Sequence, residues 1–390
     1  METAATPLLR TTGSTAVERI ISSSRRPRSL GAKKPGAVSL AMGEPDSGTP
    51  TAIVEAAVNA LTSGRTRYAP MAGSPELQHA IAKHTAARYS RPTESGNIVL
   101  THGGSGGLAA TMLALVNPGD RILIPEPTYS LYADHAAMIG AEVIWVPNLA
   151  DGSLDLDTLQ QEAAAAEMIV LCNPGNPTGR VYPDSDLHRL GQLLQDNPGL
   201  LLLADEAYAD ITFDGGAFTS ALTLVDAREQ IICCSTFSKT YAMTGWRLGH
   251  VVAPVQLAEK INTIHRTING PLSTFVQDAA MTALETPDAD LQAAADSYQQ
   301  RRDVVVDLLS GLPGVEMLPP QGAFYAFPKI NSALTSDEMT ARFAEAGVLV
   351  RSGSEFGPSG EGHIRISFAT DLESLQEGLA RFASAVKEMV

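Results

Sequence analysis

Short apolar runs punctuate the chain between residues 97 and 236: IVLT (98–101), RILIP (121–125), EVIWV (142–146), MIVLC (168–172), LLLLAD (200–205) and IICCS (231–235). A strand with one wet face alternates polar and apolar residues; continuous runs like these predict strands buried on both faces. Stretches of helical period lie between most of them, at 107–116, 130–139, 155–166 and 184–195. Strand and helix in alternation predict an α/β fold with a largely parallel sheet covered on both sides. The pattern changes near residue 285. A long helical region (287–311) leads to VEML (315–318) and AFYAF (323–327). A helix (336–346), VLVR (348–351), HIRISF (363–368) and a last helix (371–387) follow. That order predicts a smaller α+β domain. The expected division is 1–48 as N-terminal arm and part of the small domain, 49–284 as the large domain, and 285–390 as the rest of the small one.

At 390 residues and 44% hydrophobic, the chain can bury a substantial core, with about two domains expected at ~100–200 residues each. Its 28 basic and 43 acidic side chains leave a net charge of −15, which argues against nucleic acid or an anionic membrane as partner. The three cysteines are odd in number, Cys233 and Cys234 are adjacent, and all lie in apolar runs. That suits buried thiols in a reducing compartment and not a disulfide framework. No apolar stretch approaches the ~18–20 residues of a membrane span, and METAATPLLRTTGS lacks a secretory core. A soluble, cytoplasmic protein is the expectation. Residues 1–36, with SSSRRPRS and KKPG, read as a short helix followed by an arm. Only seven residues are lysines (33, 34, 83, 239, 260, 329 and 387), so a catalytic lysine has few candidates.

The segment from Thr101 to Ala109, THGGSGGLA, follows an apolar strand and opens a helix, where backbone N–H groups and the helix dipole form an anion site. Three chemistries fit it. Gly103 to Gly107 matches the G-x-S-x-G nucleophile elbow around Ser105. Gly104-x-Gly106-x-x-Ala109 matches a dinucleotide fingerprint. A phosphate cradle for another cofactor fits equally well. A hydrolase would need a later acid and histidine, for which Asp205, His250 and His363 are candidates. A dinucleotide site would need an acidic residue about 20 positions on, near Glu126. The loop alone leaves all three open.

Other segments fall at the ends of predicted strands, where open α/β sheets place their ligands. Asn173 to Gly179 (NPGNPTG) follows MIVLC, and Asp205-Glu206-Ala207-Tyr208 ends LLLLA. Ser235 to Lys239 (STFSK) follows IICC, with Met243 to Arg247 (MTGWR) shortly after. Lys239 is flanked by hydroxyls at a strand exit, and a lysine with a lowered pKa there can form a Schiff base with a carbonyl cofactor. Thr236 and Ser238 can hydrogen-bond a phosphate on it. Asp205 suits a buried carboxylate facing a cation such as a protonated pyridine nitrogen, although strand-end aspartates also cap turns. Asn176 and Tyr208 can reach a phenolic oxygen, although NPGNPTG is good turn chemistry by itself. Arg247 and Arg365 lie inside apolar segments, where a guanidinium needs an anion. Arg365 alternates with Ile364 and Ile366 and suits a substrate carboxylate, while Arg247 suits a phosphate. An internal salt bridge is the rival reading for each.

In this order, N-P-x-N-P-T-G, D-E-A-Y and S-x-F-S-K-x-x-x-M-T-G-W-R-x-G resemble the class I/II aminotransferases. These use pyridoxal phosphate on the fold-type I, aspartate aminotransferase-like scaffold. The similarity runs from Gly43-Glu44-Pro45-Asp46 to the C-terminal helix. It implies a large cofactor-binding domain with a mostly parallel seven-stranded sheet flanked by helices. It further implies transfer of an amino group between an L-amino acid and a 2-oxo acid by a ping-pong route, through an internal aldimine on Lys239. Asp205 would pair with the pyridinium nitrogen, Asn176 and Tyr208 with the phenolic oxygen, and Tyr129 would stack on the ring. Gly103, Gly104, Ser105, Thr236, Ser238 and Arg247 would cradle the phosphate, which settles the glycine loop. Arg365, helped by the backbone of Gly43, would grip the substrate α-carboxylate. Tyr68 would reach the phosphate of a neighbouring subunit, making the active unit a homodimer. No metal is expected. A lyase or cyclase of the β-elimination type on the same scaffold is the alternative. Arg266 lies about two positions from where dicarboxylate-specific members supply an arginine, so that specificity is not supported. His102 and Arg351 stand where relatives carry small or apolar residues, and their roles stay open.

Overall fold

Each apolar run before residue 240 becomes a strand of one seven-stranded sheet. The computed structural model describes residues 13–25, 35–216 and 218–390. In spatial order the strands are Ile98–Thr101, Gly249–Val252, Ile231–Thr236, Leu201–Asp205, Met168–Cys172, Arg121–Glu126 and Glu142–Pro147. All neighbours are parallel except Gly249–Val252, which runs antiparallel to both of its partners. That strand was not read from the pattern: four residues with a histidine among them, GHVV, offer too short an apolar signal. Together these elements make the mostly parallel α/β sheet that the resemblance implied.

Both faces of the inner strands are covered, which is why their sequences are continuously apolar. The edge strand Glu142–Pro147, expected to be buried on both faces, fully buries only Val146, because it has a neighbour on one side alone. Along Met168–Cys172, Ile169 and Leu171 join a core under the helices Pro75–Tyr89, Leu156–Ala163 and Asp184–Asp196. Met168, Val170 and Cys172 join another, under Gly103–Leu115, Leu131–Ile139 and Val255–Asn269. This is the two-residue period of a strand expressed with apolar residues on both sides. Local signals set several helix starts. Ser74 accepts from the Leu77 N–H, and Pro75 takes the first helical position, where a missing N–H costs nothing. Thr335 and Glu338 form a reciprocal capping box at the start of Ser336–Glu345.

A third core gathers aromatic side chains from the C-terminal third. It includes Phe324, Tyr325, Phe343, Phe368 and Phe382, with Leu40 from the N-terminal side and Tyr208, Ile211 and Phe213 from the segment after Leu201–Asp205. Phe343 and Phe382 stack with ring centroids 4.3 Å apart and tie Ser336–Glu345 to the last helix, Leu372–Met389. The strands here are short. VLVR splits into Val348–Leu349, paired with Val38–Ser39, and Arg351–Ser352, paired with Ile364–Ser367. In the N-terminal segment a helix spans Thr15–Ser23. The arm expected around SSSRRPRS and KKPG lies largely outside the described residues. Among the described residues no helix is long and apolar enough to cross a membrane.

Candidate active site

Strand register brings the site together. Cys172, Asp205 and Cys234 lie level across three adjacent parallel strands. The segments after them therefore leave the sheet at one edge, the carboxyl edge, where such sheets bind ligands. A cavity of about 390 Å³ opens there. Its lining includes Gly43, Gly104, Ser105, Tyr129, Asn176, Asp205, Tyr208, Thr236, Ser238, Lys239, Arg247 and Arg365. Of the residues expected at the site, Gly103 and Tyr68 are absent from this lining. Gly103 acts from behind, as shown below. Tyr68 is 93% exposed and reaches nothing in its own cavity.

Lys239 sits on the short helix Phe237–Thr240 that follows Ile231–Thr236. Its ammonium donates to the Gly43 carbonyl at 2.6 Å and lies 5.6 Å from the Phe324 ring centroid. Burial drives its pKa down from 10.5 to about 8; Glu44 opposes that shift, and Arg365 and Arg247 add to it. An amine so placed gives up its proton far more readily than an ordinary lysine, which favours the nucleophilic form. The Gly43 approach is tight: a Cβ there would stand 2.0 Å from the Tyr325 hydroxyl oxygen.

Asp205 is 7% exposed, accepting from the Tyr132 hydroxyl at 2.7 Å and the Ala207 N–H at 3.2 Å. Burial still pushes its pKa up, because these two bonds and the nearby Lys239 only partly offset desolvation. A cation against this carboxylate, such as a protonated ring nitrogen, would restore its charge. The Tyr208 and Tyr325 hydroxyls share a hydrogen bond of 2.8 Å, and burial raises both phenols, Tyr325 to about 12.

Arg365 is buried on the strand Ile364–Ser367 between two fully buried isoleucines. It donates to Asn176 Oδ1 at 3.1 Å and to the Ala41 carbonyl at 2.5 Å, and stacks over Tyr325 at 4.5 Å. The salt-bridge rival fails: no carboxylate pairs with it among the described residues, and its Nε has no hydrogen-bond partner. A buried guanidinium with a spare donor is a ready carboxylate site.

The glycine loop opens the helix Gly103–Leu115, whose N-cap, His102, makes no side-chain capping bond, so the first-turn N–H groups are available to an anion. Gly103 has φ +72°, and a Cβ on it would lie 2.4 Å from Arg247 Nη2. Only glycine allows both that conformation and that approach. Arg247 itself is left-handed (φ 54°) and is held by the Thr244 carbonyl at 2.8 Å. Thr236 and Ser238 hydroxyls bond at 2.9 Å beside it. Anion cradle, buried carboxylate, low-pKa lysine and spare guanidinium fit pyridoxal phosphate with an amino acid beside it. Among the described residues, no group of three or more His, Cys, Asp or Glu side chains could hold a metal.

Three site residues, Tyr132, Tyr325 and Glu355, escaped the sequence reading, while Arg351 was noted there without a role. Tyr132, three residues after Tyr129, bonds Asp205; Tyr325, in a run read only as strand, bonds Tyr208. Arg351 and Glu355 line the cavity as an ion pair. The signal for Glu355 would have been a carboxylate four residues past Arg351 in an otherwise uncharged segment. His102 stacks on His265 outside the cavity lining, and Arg266 is exposed on the helix Val255–Asn269.

A model of the aminotransferase class I and II family matches residues 35–382. The aspartate aminotransferase of Pyrococcus horikoshii is 34% identical over 357 residues, covering 90% of this chain and 90% of that protein. The arginine–pyruvate transaminase AruH of Pseudomonas aeruginosa is 32% identical over 359 residues, again 90% of each. Among solved structures, the aromatic aminotransferase from P. horikoshii superimposes with a TM-score of 0.88 at 31% identity, covering 96% of this chain and 99% of that one. Sequence and fold agree over nearly the whole length, and the chain belongs to the class I and II aminotransferases, which are pyridoxal phosphate-dependent transaminases.

Proposed function

We propose that this transaminase exchanges an amino group between an L-amino acid and a 2-oxo acid in two successive half-reactions, with Lys239 as the covalent anchor and proton carrier. The observation that carries this reading is the placement of Lys239: its amine, lowered to about 8, shares one cavity with Asp205 and with the spare donor of Arg365. When bound, pyridoxal phosphate supplies an aldehyde that condenses with amines and a ring that takes up electrons from the substrate Cα. Arg365 binds the substrate α-carboxylate through its free edge, with the Gly43 backbone beside it. With its amine free, Lys239 would take the proton from the substrate Cα and deliver it to the carbon that the cofactor's aldehyde supplies. Asp205 faces the ring nitrogen and keeps it protonated. Asn176 and Tyr208 hydrogen-bond the phenolic oxygen, and Tyr129 packs on the ring. The Gly103, Gly104 and Ser105 backbone, with Thr236, Ser238 and Arg247, holds the phosphate.

A homodimer belongs to the same proposal. Val54, Val58 and Leu61 form an exposed apolar stripe along one face of the helix Thr51–Thr62, and Tyr68 and Met71 project nearby in sequence. That stripe suits a second copy, with Tyr68 reaching the partner's phosphate site. The test is a half-reaction without acceptor. Adding an amino donor should convert the cofactor's ~420 nm absorbance to ~330 nm, with stoichiometric 2-oxo acid. Release of ammonia and pyruvate with an unchanged band would show a lyase and refute the reading.

A further inference from the structure

The transaminase reading leaves open which amino acids enter, and a pair of charges in the cavity bears on that. Arg351 and Arg365 are direct partners across the antiparallel strands Arg351–Ser352 and Ile364–Ser367. Directly opposed residues project from the same face, and like charges so placed repel. Glu355 relieves this. Four residues past Arg351, in the turn Gly353–Phe356, it is 3% exposed and engages Arg351 through both oxygens. One bond is Arg351 Nε to Oε2 at 2.8 Å, the other Nη2 to Oε1. Arg351, Glu355 and Arg365 all line the cavity that holds Lys239.

A substrate whose α-carboxylate sits on Arg365 carries its side chain two bonds away, beside this pair. A second carboxylate there would need a free cation. The described cations lining the cavity are Lys239, Arg247, Arg351 and Arg365. The reaction takes the amine of Lys239, the phosphate takes Arg247, and the α-carboxylate takes Arg365. Arg351 remains, and its forked edge is already filled. Pulling it away would strand the buried carboxylate of Glu355, and breaking a buried pair from one side is strongly unfavourable. Glu44 adds a further negative charge to the lining. Arg266 lies exposed and outside the cavity of its own protomer. Apolar and aromatic walls at Met42, Leu108, Tyr129 and Tyr325 complete the space.

We propose that Arg351 and Glu355 are specificity-determining residues: as a self-neutralised pair beside the α-carboxylate site, they select amino donors with uncharged side chains over dicarboxylic ones. The proposal rests on the transaminase reading and deepens it to a substrate class.

The test measures half-reaction kinetics of the holoenzyme with leucine, phenylalanine, aspartate, glutamate and lysine. In the wild type, kcat/KM for leucine or phenylalanine should exceed that for aspartate and glutamate by about a hundredfold or more. Glu355→Gln frees the Arg351 guanidinium and should raise kcat/KM for aspartate by about tenfold or more, narrowing the preference. The double variant Arg351→Leu/Glu355→Leu removes the cation as well, and should show no gain for aspartate relative to leucine. If Glu355→Gln does not fold, the wild-type ranking and the double variant decide. A wild type that prefers aspartate, glutamate or lysine overturns the proposal, as does a gain for aspartate that survives loss of Arg351. A folded Glu355→Gln with an unchanged ranking overturns it too. Absence of any half-reaction in cofactor-loaded wild type would instead overturn the transaminase reading itself.

Discussion

Replacing Lys239 with methionine separates what this residue does for chemistry from what it does for the fold. In the cofactor-free protein the ammonium is buried, and its pKa falls from 10.5 to about 8. That gap corresponds to about 3 kcal/mol against the charged form at pH 7. Methionine fills similar volume without charge, so the apo-variant should be more stable than wild type at pH 7 by up to about 3 kcal/mol. The sign has a pH signature. Between about 8 and 10.5 the unfolded chain binds the proton that the folded lysine has released, so wild-type stability climbs across that window. The variant's advantage should shrink through the same range and be gone above it. Urea unfolding of both apo-proteins from pH 7 to 10.5 reads this directly. In parallel, turnover should fall at least about a thousandfold, and borohydride should no longer trap the cofactor on the protein. A variant less stable than wild type by more than about 1 kcal/mol at pH 7 would refute the reasoning. So would a stability difference that does not change with pH. Either result would make Lys239 a structural cation.

Three further perturbations probe the surroundings. Tyr132→Phe removes the 2.7 Å bond to Asp205, worth about 1.5–3 kcal/mol to a charged acceptor, and lets burial push the carboxyl higher. The acid limb of the kcat–pH profile should move to higher pH, and an unmoved limb would exclude Asp205 as the titrating group. Gly103→Ala places a side chain at φ +72° against the Arg247 guanidinium, adding about 1–3 kcal/mol of strain. Cofactor affinity, followed by fluorescence quenching, should drop about tenfold or more. Arg365→Lys keeps the charge but loses the fork that spans Asn176 and Ala41. KM for every amino donor should rise about a hundredfold with a smaller change in kcat, and unchanged KM values would remove the α-carboxylate role.

Much of the scaffold was legible because its determinants are local. Runs such as MIVLC and LLLLAD carry their burial in their own composition, and helix starts such as Ser74-Pro75 and Thr335 to Glu338 carry their caps within a few residues. Lys239, Asp205, Asn176 and Arg365 stood out for a related reason: each interrupts an apolar or turn-forming segment with a polar group that the segment does not need. Tyr132, Tyr325 and Glu355 gave no such signal. A tyrosine within an apolar run is ordinary core, and only the fold turns its hydroxyl toward Asp205 or Tyr208. The strand Gly249–Val252 was illegible for another reason, since its place in the sheet depends on two neighbours already being there.

Sequence alone therefore determined the layers of the fold, the order of the motifs and the chemical types at the site, because periodicity, turn chemistry and strand-end polarity act over a few residues. Only the tertiary structure decided which of those groups meet. Level register across three strands brings Asp205 beside the exits that carry Asn176 and Lys239, and the antiparallel pair opposite sets Arg351 against Arg365. Burial then decided the charges. The same side chains in water would have ordinary pKa values, and it is removal from solvent that lowers Lys239, raises Asp205 and leaves Arg365 with a donor to spare.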